Sequence, residues 1–219
     1  MTSTMTSGEK ESICQILALL FSPPDHASAE QVREGFFHSF FLPHVLSWGQ
    51  DQSVLKGFLW EGEAGTLRDE LSREYERLFS EFRGDGVSLV ESFYEPWTRD
   101  PHCTLPFASD RGLVMGDPAL HLLFLYEQCG IKVSKEFGGR PDHLVLELEF
   151  LAHLYQRATD AEVRTFIRDH LGWSSVLGEE LKRLNPKPFF ESAYAILSLF
   201  LKRERERMEG ENDGKKDIH

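Results

Sequence analysis

Basic charge is in short supply in this sequence: 24 Lys and Arg stand against 36 Asp and Glu, leaving a net charge of −12. Without a basic excess the chain is unsuited to general nucleic-acid binding, which needs a basic face for the phosphates. Any charged partner it has is expected to be basic. Cysteine is scarce as well. Cys14, Cys103 and Cys129 lie far apart and form no CxxC pair, so neither a zinc knuckle nor a disulfide framework is suggested. Three reduced thiols suit a cytoplasmic protein. No apolar run approaches the roughly 18 residues of a membrane span, and residues 1–8 lack the apolar stretch of a secretory signal. Glycine-rich phosphate loops of the GxGxxG or GxxxxGK[ST] type are missing. Ser92 has no flanking glycines of a nucleophile elbow. The expectation is a soluble cytoplasmic protein with no cofactor loop of a familiar kind.

What is abundant is core material. Hydrophobic residues make up 41% of the chain and aromatics 12%, with 17 Phe, which marks a globular protein of one large domain or two small ones. The apolar residues recur at three and four. Ile13, Ile16, Leu17, Leu20 and Phe21 predict a first helix, stopped by Pro23-Pro24. Ser28 with Gln31 reads as a capping box opening a helix through Phe36, Phe37 and Phe40, which Pro43 breaks or ends. Short helical turns follow over 44–60. A strong helix runs from Leu67 through Leu71, Tyr75, Leu78, Phe79 and Phe82 to the stop at Gly84-Asp85-Gly86. Residues 87–116 lose the helical period and hold Pro96, Pro101 and Pro106, the mark of a functional segment or a hinge. Asp117 and Pro118 serve as N-cap and first residue of the next helix. Further helices are predicted over 141–158, 162–171, 174–184 and from Phe189 to Leu201. The expected fold class is all-α, a single bundle of about nine to eleven helices over 9–201. A disordered N-terminus (1–8) and a charged, disordered tail (202–219) flank it.

Two regions invite a functional reading. In Pro141-Asp142-His143, Pro141 suits the first helical position and Asp142 the first turn, where its charge meets the helix dipole. His143 and Glu147 lie four apart, as do Glu149 and His153. Such spacing suits either surface pairing or metal ligation, with pairing the commoner outcome. The second region is aromatic. Tyr75, Leu78 and Phe79 share one helix face, as ordinary core or as a contact surface, and Phe93, Tyr94 and Trp97 stand among prolines. An acidic protein with an apolar groove would suit a peptide that carries an apolar stretch and a basic flank.

Taken in order, Tyr-x-x-Leu-Phe (Tyr75, Leu78, Phe79), Glu-Ser-x-Tyr (Glu91, Ser92, Tyr94), Met115-Gly116 with Pro118, and the run from Pro141 to Leu151 resemble the TorD/DmsD/NarJ family. Phe166, His170, Leu171 and Trp173 extend the likeness, which spans about residues 10–201. The resemblance implies an all-helical, non-enzymatic, cofactor-free chaperone of molybdoenzyme assembly. Such a chaperone would bind the twin-arginine signal peptide and the apo form of a molybdopterin oxidoreductase catalytic subunit in the cytoplasm. It would bind no nucleic acid, and would be a monomer or a domain-swapped dimer. The implied peptide-binding residues are Tyr75, Leu78, Phe79, Glu91, Ser92, Tyr94, Asp142, His143 and Glu147. The competing expectation is a helical metal- or nucleotide-dependent hydrolase built on His143, Glu147 and His153.

Overall fold

The structure, a computed structural model, describes residues 5–79 and 85–213. The expected all-α class holds: the described residues contain nine α-helices and three 3-10 turns, with one isolated antiparallel bridge, Val90 to His143, in place of any sheet. The helices are α1 (Ser7–Leu20), α2 (His26–Arg33), α3 (Phe36–Ser47), α4 (Ala64–Phe79), α5 (Asp117–Gln128), α6 (Leu144–Arg157), α7 (Asp160–His170), α8 (Ser174–Arg183) and α9 (Pro188–Asp213).

Local chemistry explains most of the boundaries. Thr6 caps α1 and Thr159 caps α7, each in a reciprocal capping box with the Glu three residues on. Asp25, and not Ser28, caps α2, with Ser28 returning the bond as its third residue. The single helix expected over 28–40 is two. Gly35 adopts φ 71°, a left-handed conformation glycine takes without strain, and turns the chain between α2 and α3. With the break made there, Pro43 is carried inside α3, where it forgoes one backbone bond. Phe82 and the stop at Gly84 lie outside the described residues.

The core wraps α6. Leu144, Leu148, Leu151 and Tyr155 form the expected apolar stripe and are buried, with Val145, Phe150 and Ala152 buried on flanking faces. Each buried leucine contributes about 1.5–3 kcal/mol relative to exposure. Helix α1 lies along α6, and α7 and α9 close the far sides. Helix α9 runs past the expected end at Leu201 to Asp213. Glu204 explains the extension. It is buried and accepts hydrogen bonds from Lys10 Nζ at 3.1 Å, Tyr155 Oη at 2.8 Å and Arg207 at 3.1 Å. Three donors from α1, α6 and its own turn dock what reads in sequence as a solvated tail.

Candidate functional site

Helix α6 does not start at Pro141. Its N-cap is His143, whose Nδ1 accepts the Val145 N–H at 3.2 Å, so Asp142 stands one residue outside the helix. His143 itself is extended, and it meets Val90 in the single antiparallel bridge that ties segment 89–91 to the entry of α6. Glu91 N–H donates to the Asp142 carbonyl at 2.9 Å, and Leu144 N–H to the Leu89 carbonyl at 2.7 Å. The pairing turns the Asp142 carboxylate onto Ser92, which donates its backbone N–H at 3.0 Å and its hydroxyl to Oδ2. Asp142 is thus buried and satisfied by the segment it faces.

The same pairing brings Glu91 over α6 and α7. Its Oε2 lies 2.9 Å from His170 Nδ1, and His170 Nε2 lies 2.8 Å from His121 Nδ1 on α5. Geometry alone would permit a Glu91–His170 ion pair. Burial opposes both charges: it pushes Glu91 up to about 9, with Asp142 and Glu95 adding to the rise, and His170 down to about 4. We therefore assign a neutral acid–imidazole hydrogen bond. Behind it, fully buried Glu147 accepts the Trp173 indole N–H at 3.1 Å. Its Oε1 has no N–H or O–H donor among the described residues. The Glu91 carboxyl adjoins it, and two carboxyls bond only through a shared proton; burial and then Glu91 raise Glu147 well above the carboxylate range. Tyr94 stacks on Trp173 at 5.0 Å and donates to the Ser88 carbonyl, completing the frame.

The segment that follows Tyr94 is pinned rather than loose. Trp97 N–H donates to the Asp110 carbonyl and Asp117 N–H to the Trp97 carbonyl, at 2.8 and 2.7 Å. The second contact requires Gly116, where a Cβ would stand 2.5 Å from the Trp97 carbonyl oxygen. Asp117 Oδ2 in turn accepts from Thr98 Oγ1 at 2.7 Å and from Arg99 N–H at 3.0 Å. Arg99 pairs with Glu95 at 2.6 Å.

These residues enclose a pocket of about 340 Å³ lined by Glu91, Arg99, Asp117, His121, Asp169 and His170. Across the His121–His170 pair lies a second cavity of about 440 Å³, this one apolar, between α5, α6 and α7. Leu125, Phe150, Leu154 and Phe166 form its walls. An acidic pocket thus opens at the end of an apolar groove, with two imidazoles as the shared wall.

A model of the nitrate reductase delta subunit family matches residues 46–177, more than half of the chain. The chain belongs to this family. The TorD chaperone of Vibrio cholerae is 28% identical over 163 residues, 64% of this chain and 74% of the relative. The TorD chaperone of Shewanella piezotolerans is 23% identical over 86% of this chain and 87% of its own length. The one from Photobacterium profundum is 30% identical over 44% and 52%. No solved structure gives a significant match. The TorD/DmsD/NarJ membership expected from the motifs is thereby shown, and with it a chaperone and not an enzyme.

Within this family member, the residues singled out in the sequence fall into two groups with different partners. Glu91, Ser92, Tyr94, Asp142 and Glu147 belong to the buried frame just described, and His143, half-buried, caps α6 and meets Phe137 edge to face. Burial, helped by Arg140, pushes His143 down to about 4, so it is a neutral cap. Tyr75, Leu78 and Phe79 lie elsewhere. Leu78 and Phe79 are buried, Phe79 packs on Phe21 and Phe190, and Tyr75 donates to the Phe21 carbonyl at 3.2 Å. Of the expected residues, Glu91 lines the acidic pocket. Arg99, His121 and Asp169 carry no motif and were not anticipated, and Asp117 was expected only as an N-cap, a place that Gly116 takes while Asp117 is the first residue of α5. The His170 segment was, as part of the family pattern, though not as a partner of Glu91. No helix among the described residues is long and apolar enough to cross a membrane, and no group of three or more His, Cys, Asp or Glu among them is arranged to hold a metal ion.

Proposed function

We propose that this chaperone binds the twin-arginine leader of a molybdopterin oxidoreductase catalytic subunit and holds the apo subunit in the cytoplasm until its cofactor is inserted. The observation that carries the reading is the junction of the apolar groove with the acidic pocket. A twin-arginine leader has the complementary order: two guanidinium groups, then an apolar stretch. Guanidinium pairs with carboxylates through charge-assisted and bidentate hydrogen bonds, while an apolar helix or strand fills a groove by side-chain burial. In this reading Glu91 meets the ligand, and Ser92, Tyr94, Asp142, His143 and Glu147 act through it by fixing its segment. Tyr75, Leu78 and Phe79 would meet a leader only if α4 parted from its neighbours.

Calorimetric titration with a synthetic leader peptide tests this. Leu154→Glu places a charge in the groove wall and is expected to weaken binding at least tenfold, with the helical spectrum intact. Leu78→Ala is expected to leave the affinity of the folded protein unchanged. Binding that survives Leu154→Glu and fails in a folded Leu78→Ala protein would move the leader to α4.

A further inference from the structure

Glu91 is a curious choice for the pocket's innermost acid. It is 1% exposed, against a second buried carboxyl, and hydrogen-bonded to an imidazole that is itself bonded to another. A buried carboxyl of this kind gives an empty pocket little charge. It can become a counter-ion only when something compensates the charge it acquires.

We infer that Glu91 determines specificity by taking a ligand guanidinium in exchange for a proton, which leaves along His170 and His121. This rests on the leader-binding reading and names how the leader's arginine is recognised. In the empty site the Glu91 hydroxyl donates to His170 Nδ1, and His170 Nε2–H donates to His121 Nδ1. When a guanidinium enters, the Glu91 proton passes to His170 Nδ1. The Nε2 proton of His170 passes to His121 Nδ1, and that of His121 goes to water. Both rings stay neutral with their tautomers exchanged, and His170 Nδ1–H now donates to a carboxylate. One positive charge enters and one proton departs. His121 is exposed and lines both cavities, so the last proton has a way out.

Every element around Glu91 contributes a charged or titratable group to this balance. Glu95 and Arg99 come from its own segment, Asp117 and His121 from α5, Asp142 and Glu147 from the entry and first turns of α6, and Asp169 and His170 from α7. The carboxyls outnumber Arg99, whose guanidinium is exposed and held to Glu95 at 2.6 Å. Burial nonetheless keeps the Glu91 proton on until a further cation arrives. A neutral side chain offers no such compensation. The site therefore discriminates arginine from glutamine by a charge it creates on demand.

The test is calorimetry of the full chain in phosphate and in Tris at pH 7.5, whose ionisation enthalpies differ. The probes are a synthetic peptide with two arginines before an apolar stretch and the same peptide with glutamines. The arginine peptide is expected to release close to one proton per complex, and its affinity to rise with pH toward tenfold per unit. The glutamine peptide should bind in the groove more weakly, without proton release and with a flat pH profile. In Glu91→Gln, whose amide can keep a hydrogen bond to His170, the arginine peptide is expected to release no proton and to lose at least threefold of its preference over glutamine. Tight binding of the arginine peptide with no buffer dependence would overturn the proton exchange and leave the leader reading standing. Failure of both peptides to bind would overturn both.

Discussion

Glu91 and Glu147 set the pH response of the protein even without a ligand. Glu91 is raised to about 9 in the fold and burial holds Glu147 well above the carboxylate range, whereas both ionise near 4.3 when unfolded, so the native state binds more protons than the unfolded one above that value. Their contribution is complete at acid pH and is lost as pH rises, for Glu91 through about 9. His143 and His170, both held down to about 4, act in the opposite sense and only below about 6.5. Above neutrality the histidines drop out, and buried Cys14, whose thiol burial pushes up, adds to the carboxyls in the same sense only from about 8.5. Melting followed from pH 6.5 to 9 is expected to show falling stability, at up to about 1.4 kcal/mol per pH unit per proton. Glu147→Gln, neutral throughout, should flatten the curve. A different outcome awaits Asp142→Ala, which leaves the Ser92 N–H and hydroxyl without their acceptor in a buried site. Urea unfolding should register a loss of about 1–3 kcal/mol.

At the scale of elements, α9 is the clearest departure from the sequence pattern. Alternating charges after Leu201 carry no helical apolar stripe, and burial of Glu204 depends on Lys10, nearly two hundred residues away. A pairing of that sequence separation leaves no local trace. Glu204→Ala should cost about 3–5 kcal/mol by urea unfolding, because it strands a buried ammonium. Glu204→Gln, which keeps acceptors for Lys10 and Tyr155, should cost less. A chain ended at Leu201 should fare like the alanine variant, and full stability of such a chain would show that the extension is a passive tail. Other elements were legible because their cause is local: the α6 stripe, the apolar repeats of α1 and α4, and the helix that Pro118 opens. The start of α6 was misplaced for an instructive reason. Pro141 and Asp142 have the right chemistry for a first turn, but the segment 89–91 competes for the same backbone and wins Asp142 as its partner. Half of the site was visible as motif; the acidic pocket was not, since Asp117, His121 and Asp169 meet only once α5 and α7 are placed side by side.

For the molecule as a whole, the division between acidic pocket and apolar groove separates the speed of binding from its duration. A chain of net charge −12 attracts a basic peptide from a distance, and its pocket focuses that attraction at Asp117 and Asp169. Salt shortens the range, from a Debye length of about 30 Å at 0.01 M to about 8 Å at 0.15 M. The groove walls at Leu125, Phe150, Leu154 and Phe166 are indifferent to that change. Association of the arginine peptide, followed by stopped-flow fluorescence, should therefore slow severalfold between 0.02 and 0.3 M salt, with dissociation nearly constant. Leu154→Glu should do the reverse, speeding dissociation with a smaller effect on encounter. If salt accelerated dissociation as strongly as it slowed association, ionic contacts and not the groove would be holding the bound peptide.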